Sequence, residues 1–225
     1  MKQHIDENKK LIRIAFADDH ILVRKGIISL LQEYKEFAFD IEANEGNELI
    51  YKISNTKHVP DMCILDINMN GLNGFDTLIE LKKKWPGIKV LILTIFKTEP
   101  YIIRMILNGA DGYLLKNCNP LEIRNALLTI YKDGFFNSEI TSSHLIHAIK
   151  NKEIKDPIFT AKELEFLTHI CSDFSLDEIA LKMKTTLRSV MGYRDNLFKK
   201  LHVSSRTTLA ICAIQLGIIP LEIAS

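Results

Sequence analysis

Residues 62–66 read Met-Cys-Ile-Leu-Asp, four apolar residues running straight into a carboxylate. A short unbroken apolar run suits a strand buried on both faces, and an acid at its end asks for a reason. The figure recurs upstream, where residues 12–17 (IRIAFA) run into Asp18-Asp19. Downstream, residues 90–93 (VLIL) end at Thr94 and residues 113–115 (YLL) end at Lys116. A further short strand is expected over 39–43. Between these runs the apolar residues take a helical spacing. Helices are predicted over 21–34, through Leu22, Ile27, Leu30 and Leu31, and over 48–54, 74–85, 101–108 and 120–132. Pro86-Gly87, Gly109 and Gly134 punctuate the last three.

Regular strand–helix alternation predicts an α/β domain: a five-stranded parallel doubly wound sheet of flavodoxin-like form, with helices on both faces. From Gly134 the pattern changes. Residues 134–157 are polar and charged around one candidate helix, 140–150, and close on Asp156-Pro157, so they read as a linker. No strand follows. Helices are predicted over 160–171, 175–183, 187–201 and 205–216, an all-α four-helix unit. The first opens on Thr160-Ala-Lys-Glu163, a capping box that occupies free backbone N–H groups. The chain thus divides into an N-terminal extension (1–10), an α/β domain (11–133), the linker (134–157) and a helical domain (158–225).

The bulk numbers narrow the class. The chain has 225 residues, enough for two small cores, with 47% hydrophobic and 25% charged residues, as in a folded globular protein. Lys plus Arg is 29 against 28 for Asp plus Glu, so overall charge gives no hint of a nucleic-acid partner. Cys63, Cys118, Cys171 and Cys212 are far apart, without metal-ligand spacing, and read as free thiols of a reducing compartment. The start, MKQHIDENKK, lacks the apolar core of a signal peptide, and no apolar run reaches the ~20 residues needed to cross a bilayer. A soluble, cytoplasmic protein with no membrane partner is expected.

In a doubly wound sheet, ligands sit beyond the carboxyl ends of the strands, near the switch point between the first and third. Asp18, Asp19 and Asp66 would converge there. Such acids repel unless a cation neutralises them, and a hard ion with oxygen ligands, Mg²⁺ in a cell, is the natural solution. Thr94 and Lys116 would face the same mouth. A hydroxyl, an ammonium and Mg²⁺ around one carboxylate suit a phosphoryl group carried on that carboxylate. Taken singly, Asp19 reads as a helix cap and Lys116 as a solvated flank. The set, each member at a strand end and in order, favours the site.

Residues 11–133 resemble the receiver domain of response regulators. The resemblance rests on Asp18-Asp19-His20, Ile64-Leu65-Asp66-Ile67-Asn68-Met69, Leu93-Thr94 and Gly109-Ala110-Asp111-Gly112-Tyr113-Leu114-Leu115-Lys116. It implies that Asp66 is the phosphoacceptor, that Asp18 and Asp19 hold Mg²⁺, and that the Asn68 backbone carbonyl is a further metal ligand. It also implies that Thr94 bonds the phosphoryl group, that Lys116 pairs with it, and that Tyr113 is a switch aromatic. One departure is Asn70, where the family usually has proline. It loosens the loop carrying Gly71 and Gly74 without removing a chemical group.

Charge gathers in the helical part. From Lys182 to Arg206 there are seven basic residues, Lys182, Lys184, Arg188, Arg194, Lys199, Lys200 and Arg206, and a single acid, Asp195. This reads as a footprint for phosphates or as a solvated helix face. Over 187–201, Val190, Tyr193, Leu197 and Leu201 share a stripe that should pack inward. Arg188, Gly192, Asp195 and Lys199 share the opposite stripe, with Met191 beside it. Gly192 costs about 1 kcal/mol in a helix interior; close approach to DNA would explain it, and so would packing.

Residues 158–219 resemble the LuxR-type helix-turn-helix of the NarL/FixJ family. The carriers are Phe159-Thr160-Ala161-Lys162-Glu163-Leu164-Glu165, Asp177-Glu178-Ile179-Ala180, Ser189-Val190, Lys200-Leu201 and Val203-Ser204-Ser205-Arg206. Met191-Gly192-Tyr193 and Asp173 depart from common members, so base preferences do not carry over.

Together these features predict a DNA-binding transcriptional regulator, not an enzyme, in which a sensor histidine kinase phosphorylates Asp66. Lys184, Arg188, Met191, Gly192, Asp195, Lys199 and Lys200 are the expected DNA contacts, on double-stranded DNA at paired half-sites. A homodimer through the receiver or the last helix is expected. Leu209, Ile211, Cys212, Ala213 and Leu216 exceed one packing stripe, although they could simply close the core. Mg²⁺-dependent phosphatases that form an aspartyl phosphate are a rival, but they usually place an acid two residues after the nucleophile, where Asn68 stands here. A receiver that works unphosphorylated, as a pure interaction module, is the other rival.

Overall fold

The computed structural model describes residues 11–69, 71–95, 99–138, 159–201, 203–215 and 219. The expectations for Asn70, for the candidate helix 140–150 and for Leu216 lie outside the described residues. The chain packs as two compact units.

The first unit holds β1 (Ile12–Ala17), α1 (Ile21–Gln32), β2 (Phe37–Ala43), α2 (Gly46–Ser54), β3 (Met62–Leu65) and α3 (Gly74–Lys84). It also holds β4 (Lys89–Thr94), β5 (Gly112–Leu115) and α5 (Pro120–Asp133); in chain order α4 (Glu99–Leu107) falls between β4 and β5. The strands form one parallel sheet in the order β2-β1-β3-β4-β5. All four residues of β3 are buried, which explains a run with no polar alternation. Ile12, Ile14, Phe16, Met62, Ile64, Leu91, Leu93 and Leu114 cluster with Ile28 and Leu31 of α1 and with Ile123, Ala126, Leu127 and Ile130 of α5. The alternate residues Ala15, Cys63, Leu65, Val90 and Ile92 are buried as well, as are Leu49 and Ile53 of α2 and Leu78 and Leu81 of α3.

The stripe expected for α1 is corrected. Leu22 is 86% exposed and Leu30 is exposed, while the buried residues are Arg24, Ile28 and Leu31. Apolar residues cover most of this helix around a narrow exposed stripe of Lys25, Ser29 and Gln32, so apolar spacing alone does not single out the buried face. Arg24 fixes it: its guanidinium donates to the Asp18 carbonyl oxygen, to Asn44 Oδ1 (3.0 Å) and to Glu42 Oε2 (3.2 Å). A buried cation is tolerated when its N–H groups are so occupied.

Past α5 the chain stays on the sheet. Gly134, with φ +85°, caps the helix, then Phe136 N donates to Asp111 O (2.9 Å) and Ser138 Oγ to Tyr113 O (2.8 Å). Residues 135–138, read from composition as linker, therefore pack with the first unit.

The second unit holds α6 (Ala161–Ile170), α7 (Leu176–Lys182), α8 (Leu187–Leu201) and α9 (Arg206–Gln215). The capping box at Thr160 and Glu163 is formed, and a second joins Ser175 and Glu178. Phe166, Leu167, Ile170, Ile179, Met183, Val190, Leu197, Leu209 and Ala213 are buried.

Candidate functional site

Sheet register builds the first site. Ala17 lies opposite Leu65 on adjacent parallel strands, so the residues that follow, Asp18 and Asp66, emerge side by side. The Asp66 N–H donates to Ala17 O (3.0 Å). Thr94 lies opposite Leu115, and Lys116 N donates to Thr94 O (2.8 Å). Gly74 lets α3 close on this end of the sheet. A Cβ at that position would lie 2.0 Å from Asp66 O, so any side chain would push the acceptor loop away.

Lys116 Nζ donates to Asp66 Oδ2 at 2.8 Å and lies 2.8 Å from Asp18 Oδ2. Asp66 Oδ1 is buried without a hydrogen-bond partner in the protein. His20 N donates to Asp18 Oδ1 (2.9 Å), and His20 Nδ1 lies 2.8 Å from Asp19 Oδ1. Asp18 and Asp66 are almost completely buried, and Asp19 is half-buried. Burial pushes the Asp66 carboxyl above the ordinary carboxylate value; Lys116 pulls it down and Asp18 pushes it further up. Burial would lower the Lys116 ammonium, but Asp66 and Asp18 outweigh it and hold the group above its usual value.

Three carboxylates and an imidazole, those of Asp18, Asp19, Asp66 and His20, offer ligand atoms within 4.8 Å of one another. That donor set, with one oxygen of Asp66 buried and unsatisfied, fits a hard divalent cation. Thr94 and Tyr113 are fully buried, and Asn68 is exposed two residues past Asp66. A cavity of about 280 Å³ lined by Ile95, Leu115, Lys116 and Asn117 opens beside the ammonium.

On α8 the two stripes fall as expected. Val190, Leu197 and Leu201 are buried and Tyr193 is half-buried, while Arg188, Met191, Gly192, Asp195 and Lys199 are exposed. Thr186 Oγ accepts from Ser189 N (3.2 Å) at the start of this helix. Lys184, exposed in the preceding turn, has φ +49°, a conformation uncommon outside glycine.

The basic cluster divides in two. Arg206 donates to the carbonyl oxygens of Ile170, Phe174 and Ser172, and so ties α9 to the end of α6 and the loop after it. Lys200 donates to both oxygens of Glu163, at 2.7 and 2.8 Å, and joins the end of α8 to the start of α6. Arg194 bonds Asp195, and the Lys182 ammonium stands 4.1 Å from the Phe174 ring centre. Lys184, Arg188 and Lys199 form no ion pair among the described residues and are the cations left to face a ligand.

Sequence reading missed Arg24, Ser138 and the Glu163–Lys200 pair. Arg24 left one signal, a cation at i, i+4, i+7 spacing with Ile28 and Leu31. The other two depend on partners 25 and 37 residues away and left none.

A parallel sheet with acids at its switch point, followed by a helix-turn-helix with exposed cations, is the plan of a DNA-binding response regulator. The model of the response regulator receiver domain matches residues 14–128, and that of the luxR family of bacterial regulatory proteins matches residues 157–213. The chain belongs to the response regulators that join a receiver to a LuxR-type helix-turn-helix, and is a regulator rather than an enzyme. It is 31% identical over 209 residues to the response regulator protein VraR of Staphylococcus epidermidis, covering 92% of this chain and 99% of that protein. It is 29% identical over 213 residues to the oxygen regulatory protein NreC of Staphylococcus carnosus, covering 91% and 97%. RcsB from Salmonella enterica serovar Typhimurium, solved bound to the promoter rprA, has the same fold: TM-score 0.66, 23% identity, 92% of this chain and 98% of that one. No described helix is long and apolar enough to cross a membrane.

Proposed function

We propose that Asp66 accepts a phosphoryl group from the phosphohistidine of a partner sensor kinase, and that this controls DNA binding by α8. The single observation that carries the reading is Asp66 itself: one oxygen held by Lys116, the other buried without a partner. In the transfer a phosphorus–nitrogen bond breaks as a phosphorus–oxygen bond forms at the Asp66 carboxylate. Lys116 meets the added negative charge from one side, and the Thr94 hydroxyl at the neighbouring strand end bonds a phosphoryl oxygen. Asp18, Asp19 and the Asn68 carbonyl, with Asp66, would hold Mg²⁺, which supplies further charge neutralisation when bound. Movement of Thr94 and Tyr113 then alters the β5 side of the receiver, with Tyr113 as the switch.

The receiver spans 11–133 with its tether following, and the DNA-binding domain spans 158–225. Arg188, Met191, Gly192 and Asp195 face base edges, and Lys184 and Lys199 meet phosphates. Lys200 meets phosphate only by giving up Glu163. The active species is a cytoplasmic homodimer on paired half-sites; on α9, Ile211, 47% exposed, is the residue placed for a contact between copies.

Acetyl phosphate with Mg²⁺ should shift the protein on a phosphate-affinity gel, and Asp66→Asn should abolish the shift. Near-normal labelling of that variant would move the acceptor elsewhere.

A further inference from the structure

The exposed face of α8 holds one chemically blank stretch. Between the charged side chains of Arg188 and Asp195 on that face lie Met191, 40% exposed, and Gly192. Among the described residues nothing calls for glycine at 192. A Cβ built there meets no atom within 4 Å, and the residue is not among those with positive φ. Packing among the described residues therefore gives no reason for the glycine. Glycine is the poorest helix former after proline, and here it sits in the interior of a 15-residue helix.

A bare Cα has no side-chain donor or acceptor, and a thioether is only a weak acceptor. In the major groove the one apolar feature on a base edge is the C5-methyl of thymine. We propose that Met191 and Gly192 form a thymine-reading window: the Met191 side chain packs on the methyl, and Gly192 lets the α8 backbone come down close to the base edge. The inference rests on the reading that α8 enters the major groove, and it names what the centre of that helix recognises.

The test uses the full chain. Protein treated with acetyl phosphate selects its preferred duplex from a randomised pool. Each thymine of that duplex is then replaced by deoxyuridine, which removes only the methyl. At one or two positions in each half-site the replacement should lower affinity about three- to fivefold, the worth of one buried methyl. With Met191→Ala those replacements should cost nothing further. Gly192→Ala should raise the melting temperature, because alanine is the better helix former in open space. The same variant should bind the selected duplex about tenfold more weakly while its affinity for random duplex stays within about twofold.

Lys199→Ala and Arg188→Ala separate the two levels. If they weaken binding but no thymine is sensitive, or if Gly192→Ala binds as the wild type does, the window is overturned and α8 keeps its place on DNA. If neither variant weakens binding, α8 is not the DNA surface and the window falls with it.

Discussion

At the amino ends of the strands, Asp111 accepts from Lys82 Nζ (2.6 Å), Lys89 Nζ (3.1 Å) and Val90 N (2.8 Å). Nearby, Asp61 accepts from Arg13 N (2.9 Å). At the carboxyl ends of the same strands, Asp18, Asp19 and Asp66 lie close together, one ammonium reaches only Asp18 and Asp66, and an oxygen of Asp66 is buried unsatisfied. The residue type is the same and both settings are largely dry. What differs is the ratio of acids to donors. One end is matched by donors and ties β5 to β4 and α3, and β3 to β1; the other carries an excess of negative charge. Where the sheet's acids are matched they hold the fold, and where they are not a functional site is the expectation.

The largest effect should come from the matched end. Asp111→Ala strands two lysines and a strand N–H, and should cost roughly 2–4 kcal/mol in urea unfolding of the receiver. Asp66 should still be phosphorylated in that variant. A neutral result would mean that the amino end holds nothing.

Glu163, in the other unit, extends the rule for matched acids. Burial opposes its charge, but Lys200 and the Thr160 N–H outweigh burial and hold the carboxyl below its ordinary value. A depressed carboxyl stabilises the fold above its unfolded value, near 4.3, and that contribution disappears as pH falls through the folded value. Glu163→Gln should therefore destabilise the helical unit by about 1–2 kcal/mol at neutral pH. The gap from wild type should close in acid. A gap that persists unchanged at low pH would show that shape, not charge, is what Glu163 supplies.

Mg²⁺ probes the unmatched end. At about ten times its dissociation constant it should add roughly 1.4 kcal/mol to receiver stability by mass action. Asp111→Ala should keep this increment and Asp66→Asn should lose most of it. An equal response in both would detach the ion from the acidic cluster.

The smallest effect has the opposite sign from the first. In Mg²⁺-free buffer Asp66→Asn should stabilise the receiver by about 1 kcal/mol, since it removes a buried charge from a crowded site. The Asp66 carboxyl is raised, so the native state holds its proton longer than the unfolded chain does. Its destabilising influence is absent at acid pH and grows as pH rises through the raised value. The gain in Asp66→Asn should follow that course, opposite in slope to Glu163→Gln. Destabilisation by Asp66→Asn across the whole range would erase the contrast between the two ends.

The unmatched end was legible in the sequence because each of its members closes an apolar run. Run and terminus are local features, and parallel register then brings Asp18, Asp66 and Lys116 together. The matched end was far less visible. In the sequence Asp111 stands out only as one member of the stretch from Gly109 to Lys116, and its partners Lys82 and Lys89 are brought to it by the approach of α3 and β4, which no spacing encodes. Helix phase was readable on α8, where charged residues mark the wet face, and harder to read on α1, where the polar stripe of Lys25, Ser29 and Gln32 is narrow, Leu22 and Leu30 are exposed as well, and a cation, Arg24, sits on the buried face. In the basic stretch, composition counted seven cations but could not tell Arg206 and Lys200, which fasten helices together, from Arg188 and Lys199, which face outward.

The hydrogen bonds of Phe136 and Ser138 to β5 bear on where the chain can be cut. A fragment ended at Asp133, where helical periodicity stops, would strip the Asp111 and Tyr113 carbonyl oxygens of their partners and lay bare the Phe136 contact over Gly112. A fragment carried through Ser138 keeps that edge of the sheet covered. Limited proteolysis should spare the peptide bonds from Gly134 to Ser138 for as long as β5 stays folded.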